Sequence, residues 1–263
     1  MEARQRTALI GLVLGIGLFG HPAEGDDKQP FALVELFTSE GCSSCPPADE
    51  LLGEIAAGAQ KGRRRIFPLG FHVDYWDYLG WKDSFSNPAY TQRQHVYADA
   101  LRASSLYTPQ MIVNGFEGFV GSDRRRALGV IEKALTRPAQ VAVSLRVSTA
   151  QDSNSYAIEY GVTPVPVGAV LNVALVQGGL VTKVTSGENA GRTLRHENVV
   201  RLFRTVSLGP DGKGTVQFER PSSMKEGGQA IVYVQDPRTM EILGASASEA
   251  EEVPSQTSIP GVQ

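Results

Sequence analysis

The chain has 263 residues, of which 25 are lysine or arginine and 28 are aspartate or glutamate, so its formal net charge is −3. A slightly acidic chain without a long basic run does not point to a nucleic-acid partner, and the short cluster at residues 63–65 is typical of a solvated loop. Without a leader the chain would have about 240 residues, which is enough for two domains.

The first 25 residues have the organisation of a secretory signal peptide. Arg4 and Arg6 precede an apolar run over residues 8–19, which is too short to span a bilayer comfortably, and Ala23 and Gly25 form a small-x-small cleavage pattern. We therefore predict cleavage near Gly25 and a periplasmic or secreted protein that has no membrane contact after cleavage. An uncleaved N-terminal anchor is the alternative. No later segment is apolar enough to cross a membrane.

The two cysteines of the chain lie in a stretch whose pattern predicts a strand, a turn and a helix. An apolar run over residues 31–37 predicts a buried strand, and a polar turn leads to Cys42 and Cys45 in a C-x-x-C spacing. Pro46 and Pro47 suit the first turn of a helix, where backbone N–H groups lack intrahelical partners. At such a helix start a Cys42 thiolate is stabilised and becomes the attacking group in thiol–disulfide exchange. A static disulfide and half of a metal site are the alternatives.

The α/β pattern continues through the first half of the chain. Residues 66–73 predict a second strand, and residues 74–88 form an aromatic and acidic insertion that contains both tryptophans. Asn87 and Pro88 begin a predicted helix to about residue 103, with its Gln, Arg and Asp side chains facing water. A strand, an Asn-Gly hairpin turn, a returning strand and a final helix complete this half.

From residue 141 the pattern changes to short period-two segments separated by Asp, Asn, Gly and Pro turns. This alternation predicts an antiparallel sandwich or barrel, and the domain boundary falls at residues 136–140. The polar segment 185–201 interrupts the rhythm, and its Asn, Arg, Glu and His side chains indicate a buried polar network between the two halves. A long, capped connection is the alternative. Residues 249–263 are predicted to be a disordered tail.

The first half resembles the thioredoxin superfamily in three features that follow one another in the same order. They are the strand, C-x-x-C and helix around Cys42, the Thr108-Pro109 pair before a strand, and the Asn-Gly hairpin followed by a helix. The whole chain is similar to a family of secreted bacterial proteins with a thioredoxin-like domain, classed as a domain of unknown function, through the segments VELFTSEGCSSCPPAD, HVDYWDYLGWKD, YTPQMIVNG and GENAGRTLRHENVV. Ser43, Ser44 and Gly41 depart from the thioredoxin pattern.

The resemblance implies an α/β thioredoxin-like domain over residues 30–137, and the period-two alternation predicts an all-β antiparallel sandwich domain over residues 140–248. It also implies a cis peptide bond between Thr108 and Pro109, beside the cysteine pair. There the backbone of Pro109 would pair with an extended substrate and keep metal ions away from the thiolates. An ordinary trans proline at the start of a strand is the alternative.

Cys42 is the candidate nucleophile and Cys45 the candidate resolving thiol. A disulfide placed for stability would span a longer loop, because closing so short a loop removes little unfolded-state entropy compared with the ~3 kcal/mol of a 15-residue loop. Glu35 shares a strand face with Leu33 and Phe37, and a carboxylate buried near Cys45 could exchange protons with that thiol. A charge at an exposed strand edge, or one paired with an arginine, is the alternative for Glu35.

The candidates for substrate binding follow the second strand, near the carboxyl ends of the sheet, where ligands bind in α/β folds. They are His72, Asp74, Tyr75, Trp76 and Trp81. An aromatic, acidic loop over a thiol site is suited to recognise a segment of a partner protein. For each residue taken singly, packing over the core or over the second half is the alternative.

The leading functional hypothesis is an exported thiol–disulfide oxidoreductase that acts on protein thiols or disulfides without a cofactor. The alternatives are a non-enzymatic module that binds a protein or copper, and a structural cell-envelope protein. Thiolates and imidazoles suit copper and zinc, so the cysteines with His72, His95 and His196 would supply such a site. No two histidines are close in sequence, however, and His95 lies on a predicted helix, so we predict no metal site.

Overall fold

The structure is a computed structural model that describes residues 28–149, 155–219, 224 and 228–249. The predicted signal peptide at residues 1–25 lies outside the described residues, and so does the predicted tail apart from Glu249. None of the helices in the described part of the chain has the length and apolar character that crossing a bilayer demands.

The α-helices of the described residues all lie in the first half, and each begins at a recognisable start signal. The first follows the C-x-x-C turn with Pro46 in its first turn, and the side chains of Asn87 and Asp123 accept backbone N–H groups at the starts of the other two. The elements are β1 (Ala32–Thr38), α1 (Pro46–Gly62), β2 (Ile66–His72), a short 3-10 helix (Asp77–Leu79), α2 (Pro88–Ala100), β3 (Gln110–Val113), β4 (Glu117–Val120) and α3 (Arg124–Ala134).

The second half consists of strands, as the period-two segments predict. They are β5 (Ala142–Thr149), β6 (Ser155–Thr163), β7 (Val170–Gln177), β8 (Leu180–Lys183), β9 (Thr193–His196), β10 (Val199–Ser207), β11 (Lys213–Glu219), β12 (Gln229–Gln235) and β13 (Ile242–Ala247). The polar segment 185–201, which does not alternate over its length, contains β9 and the start of β10.

Strands from both halves pair in one mixed eight-stranded sheet, in the order β13-β12-β7-β10-β2-β1-β3-β4. The junction is a parallel pairing of β10 with β2 at Val199 and Gly70, where the Gly70 N–H donates to the carbonyl oxygen of Asn198 at 2.8 Å. A three-stranded sheet, in the order β11-β6-β5, packs on the second-half part of the main sheet. β8 and β9 form a separate two-stranded hairpin.

The predicted fold class, an α/β thioredoxin-like domain followed by an all-β antiparallel sandwich, is therefore wrong. The protein is mostly β, and its main sheet is not confined to either half. The physical reason is that the outer edge of β2 carries backbone groups that need partners, and β10 supplies them. Period-two alternation shows that a segment is a strand but not which distant strand pairs with it. The domain boundary at residues 136–140 stays a prediction.

β1 lies inside the sheet and is buried on both faces. On one face Val34 and Leu36 share an apolar cluster with residues of α1 and α3. On the other face Leu33 and Phe37 pack in a cluster with Tyr97 of α2 and Tyr233 of β12. The second cluster therefore connects the two halves of the chain through side chains as well as through the sheet.

Glu35 projects into this second cluster and is fully buried. The Arg93 Nε donates to Glu35 Oε1 at 2.7 Å, and the hydroxyl groups of Tyr97 and Tyr233 also donate to the carboxylate. The Arg93 Nη2 donates to Gln235 Oε1 at 3.1 Å. The structure thus shows the alternative considered for Glu35, a pairing with an arginine, on the sheet face opposite α1.

The burial of Arg93 and Gln94 corrects the expectation that the Gln and Arg side chains of α2 face water. Only 9% of the Arg93 side chain is exposed, and Gln94 is fully buried. The Arg93 guanidinium lies 5.1–5.6 Å from the ring centres of Phe71, Tyr97, Phe203 and Tyr233. Burial by itself lowers the pKa of Arg93, but the Glu35 carboxylate outweighs it, and the pKa lies above its ordinary value.

Replacement of Arg93 by methionine should destabilise the protein by about 3 kcal/mol, because it leaves the Glu35 carboxylate buried without its cation. The double variant R93M/E35Q should recover part of that loss. Urea unfolding measures both effects. Arg124→Met serves as the matched control, because the Arg124–Glu54 pair is exposed and its loss should leave the unfolding midpoint unchanged. A wild-type midpoint for R93M would contradict the importance of this buried pair.

Candidate functional site

The cysteine pair lies at the start of α1, as the sequence predicts. Cys42 and Cys45 form a disulfide with a Cα–Cα distance of 5.4 Å, and Cys45 is the N-cap residue of α1. The Cys45 N–H donates to the carbonyl of Cys42 at 3.2 Å, which closes a tight turn, and the N–H groups of Ala48 and Asp49 donate to the carbonyl of Cys45. The predicted disulfide is therefore confirmed.

The Thr108–Pro109 segment lies beside this turn, and its peptide bond is cis, as the resemblance implies. The Ser44 hydroxyl donates to the Thr108 carbonyl at 3.5 Å, and the Trp76 indole Nε1 donates to the Thr108 Oγ1 at 2.8 Å. The structure thus places Thr108, Pro109 and Trp76 next to the C-x-x-C turn. Each of these residues is a predicted site residue, although they come from separate segments of the chain.

A buried cluster of acids and histidines lies around the residues that lead into the C-x-x-C turn. Glu40 is fully buried, and its carboxylate accepts from the Trp81 Nε1 at 2.9 Å and from the His196 Nε2 at 3.1 Å. The Glu40 N–H donates to Asp83 Oδ2 at 2.9 Å, and the same oxygen accepts from the His72 Nδ1 at 2.7 Å. The two imidazole rings are 5.0 Å apart. The cluster therefore joins two acid–histidine pairs beneath the disulfide turn.

Shifted pKa values accompany this cluster. Burial raises the pKa of Asp49 to about 6, although His196 and His72 lower it in part. Burial lowers the pKa of His72, but the Asp83 carboxylate more than offsets that effect and raises it above the ordinary value. Because Asp49 follows Cys45 by one helical turn, the two side chains lie on the same face of the helix start. Asp49 is thus a buried carboxyl one helical turn after Cys45, with a pKa raised by its burial.

A loop from the second half is hydrogen-bonded to the backbone of the disulfide turn. We call residues 186–192, between β8 and β9, the cap loop. The Asn189 Nδ2 donates to the carbonyl oxygens of Glu40 at 2.8 Å and Cys42 at 2.9 Å, and the Glu188 carboxylate accepts the Ser43 N–H at 3.0 Å. Both cysteines have no exposed surface in this arrangement. Within segment 185–201, Asn189 and His196 are buried and bonded to the first half, whereas most of the charged side chains are exposed, so the predicted buried network is found only in part.

The other predicted site residues lie at the edge of this site or away from it. The Tyr75 hydroxyl donates to Gln94, and Asp74 accepts from the Thr91 hydroxyl, so both side chains tie the aromatic insertion to α2. His95 is exposed on α2, away from the cluster. Among the described residues, no group of three or more His, Cys, Asp or Glu side chains is arranged to hold a metal ion.

Sequence reasoning missed Asp49, Glu40 and Asp83 as site residues. Asp49 had a local signal, because an acid one turn after Cys45 on an otherwise apolar helix face must be buried. Glu40 and Asp83 had no such signal, since their partners come from distant segments.

The fold and the site define a β-rich protein that carries a buried disulfide at a helix start. The chain belongs to the family described as Protein of unknown function (DUF1223), which matches residues 33–235. This match confirms the predicted membership in a family of unknown function and does not address the thioredoxin superfamily.

Two solved structures are similar to parts of this chain. Protein AGR_C_4864 from Agrobacterium tumefaciens is 30% identical, with 83% of this chain and 94% of that chain covered and a TM-score of 0.61. The GH3 β-glucosidase from Bifidobacterium adolescentis is 17% identical, with 42% of this chain and 17% of that chain covered and a TM-score of 0.23. None of the curated proteins matches the chain.

The raised pKa of Asp49 predicts how stability depends on pH. The folded chain binds the Asp49 proton more tightly than the unfolded chain does. The contribution of this proton to stability is therefore fully present below about pH 4 and is lost as the pH rises through about 6. Asp49→Asn should therefore be more stable than the wild type at pH 7.5 by about 2 kcal/mol, and no more stable near pH 4.

Urea unfolding at both pH values measures this difference. Asp99→Asn is the matched control, because Asp99 is exposed on α2 and its replacement should give no pH-dependent difference. An equal loss of stability at both pH values would contradict this prediction. It would mean that the hydrogen bonds of the carboxylate stabilise the fold more than its burial destabilises it.

Proposed function

We propose that this protein is a thiol–disulfide oxidoreductase whose redox group is the Cys42–Cys45 pair. The observation that carries the proposal is the disulfide at the start of α1, with the cis Thr108–Pro109 segment beside it. A helix start stabilises the thiolate that exchange requires. The local resemblance to the thioredoxin superfamily around these residues supports the same chemistry.

The reaction exchanges one disulfide for another. In the oxidised protein, a partner thiolate attacks the sulfur of Cys42, the Cys42–Cys45 bond breaks, and Cys45 leaves as a thiolate that takes up a proton. A second partner thiolate then attacks the mixed disulfide at the partner's sulfur and releases Cys42. The partner is oxidised to a disulfide, and the pair is reduced to the Cys42 thiolate and the Cys45 thiol. In the opposite direction the Cys42 thiolate attacks a partner disulfide, and Cys45 resolves the intermediate.

Asp49 is the group best placed to carry the proton of Cys45. It is buried one turn along the same helix face, and its pKa of about 6 lets it hold or release a proton near neutral pH. The role that the sequence suggests for Glu35 falls to Asp49, because Glu35 lies on the opposite face of the sheet with Arg93.

The aromatic insertion provides the proposed contact surface for a partner protein. Trp76 adjoins Thr108, and Tyr78 in the same insertion is 81% exposed. An aromatic insertion with one residue beside the turn and one exposed residue suits an extended segment of a protein that bears a thiol or a disulfide. Export through the predicted signal peptide would place this reaction in a compartment where disulfides persist.

A non-enzymatic binding module is the second candidate, and the burial of the disulfide favours it. Both cysteines lack exposed surface beneath the cap loop, so a partner could bind this face without exchanging disulfides. An assay of thiol–disulfide exchange separates the two candidates. Replacing Cys42 removes the activity if the protein is an oxidoreductase, but not if it is a binding module. Copper as the bound partner stays an alternative to a protein.

Cys42→Ser should abolish exchange with a model disulfide protein, because the attacking sulfur is gone. Cys45→Ser should instead accumulate a mixed disulfide between Cys42 and the model protein, because the resolving thiol is gone. Non-reducing electrophoresis and intact-mass measurement after acid quenching report both outcomes.

Ser43→Ala, which keeps both sulfurs, is the matched control and should retain exchange. The proposal fails if Cys42→Ser exchanges thiols at the wild-type rate.

A further inference from the structure

Polar side chains of the cap loop form hydrogen bonds with backbone groups of the turn that contains the redox pair. The Asn189 amide, which is fully buried, donates to the carbonyl oxygens of Glu40 and Cys42. The Arg192 Nη1 donates to the Asn189 Oδ1 at 3.0 Å and so orients that amide. The loop is also held from its other side, because the Ser186 hydroxyl donates to the Gly80 carbonyl at 2.6 Å.

Glu188 is bonded to the residue that follows Cys42 while the pair is a disulfide. Its carboxylate accepts both the hydroxyl and the N–H of Ser43, directly after Cys42 in the helix-start turn, and these bonds hold the pKa of Glu188 below its ordinary value. The disulfide is neutral, so a carboxylate is tolerated there. A Cys42 thiolate would need the same N–H groups and the same positive end of the helix.

Reduction therefore brings a second negative charge, that of the Cys42 thiolate, close to the Glu188 carboxylate. Two electrons from a partner dithiol break the Cys42–Cys45 bond, and the partner becomes a disulfide. One of the partner's protons goes to Cys45 and the other goes to solvent. Cys42 remains a thiolate. The Glu188 carboxylate then repels the thiolate within one turn of backbone and competes with it for hydrogen-bond donors.

We propose that the cap loop is a redox-responsive latch, which closes over the oxidised pair and is released when Cys42 becomes a thiolate. This inference rests on the proposed thiol–disulfide exchange at the same pair. Because the coupling between two linked events is reciprocal, a loop that prefers the oxidised state also stabilises the disulfide. Glu188 and Asn189 are thus positioning residues, since they act on the sulfurs through the turn.

Two variants of the full-length protein separate the charge of the latch from its hydrogen bonds. Glu188→Gln keeps the shape of the side chain and removes the repulsion, and Asn189→Ala removes the two bonds to the turn. Glu159 is an exposed residue of β6, in the three-stranded sheet. Glu159→Gln is therefore the matched control for loss of one negative charge.

The first measurement equilibrates each protein with glutathione buffers and reads the reduced fraction by alkylation and mass. Glu188→Gln should shift the equilibrium constant toward the dithiol by about threefold to tenfold, and the shift should shrink in 1 M salt. Asn189→Ala should shift it in the same direction, because the closed loop would stabilise only the oxidised form. Glu159→Gln should match the wild type.

The second measurement is backbone hydrogen exchange of residues 186–192 in the oxidised and the dithiothreitol-reduced wild type. Protection should fall on reduction. Equal protection in both states, or an equilibrium constant unchanged by Asn189→Ala, would overturn the latch. Folding is checked by the unfolding midpoint, and Glu188→Gln keeps the test decisive if Asn189→Ala fails to fold.

The outcomes distinguish the latch from the proposed function. Exchange with a model protein together with an unchanged loop would refute the latch and leave the oxidoreductase standing. Loop release on chemical reduction without any exchange activity would support the latch and refute the oxidoreductase.

Discussion

The parallel pairing of β10 with β2 is the constraint on which the rest of the structure depends. It joins the two halves at Val199 and Gly70 and makes one sheet of strands that are far apart in the sequence. Because β9 and the cap loop come directly before β10, this pairing also brings His196 to Glu40 and Asn189 to the carbonyl of Cys42. The disulfide turn is therefore completed by the half of the chain that lacks cysteines.

Buried charge explains why this junction holds a defined geometry. Glu35 with Arg93, and Glu40 with His196, place ionisable groups where water cannot solvate them, so each needs its partner in position. Both pairs are formed between segments distant in sequence. A displacement of one half against the other would separate Glu40 from His196 and would take the hydrogen bonds of Tyr233 and Gln235 away from the Glu35–Arg93 pair, which favours a single arrangement of the two halves around the site.

Local signals account for the parts of the site that sequence analysis predicts. The C-x-x-C spacing before paired prolines indicates the helix start at Cys45, and the disulfide and the cis bond before Pro109 are found where expected. The strands of the second half are also found, because period-two alternation is a property of each segment. The error lies in the fold class, since alternation does not reveal that β10 adds to β2.

By itself, the sequence determined the elements, the disulfide and the family, because these depend on residues close together in the chain or on their order. Only the tertiary structure decided that Arg93 is buried against Glu35, that Asp49 takes a raised pKa, and that the cap loop bonds to the carbonyl of Cys42. These features arise from desolvation and from backbone pairing between distant segments. Desolvation and long-range pairing give no periodic pattern in the sequence, because each depends on which surfaces meet after the sheet has formed.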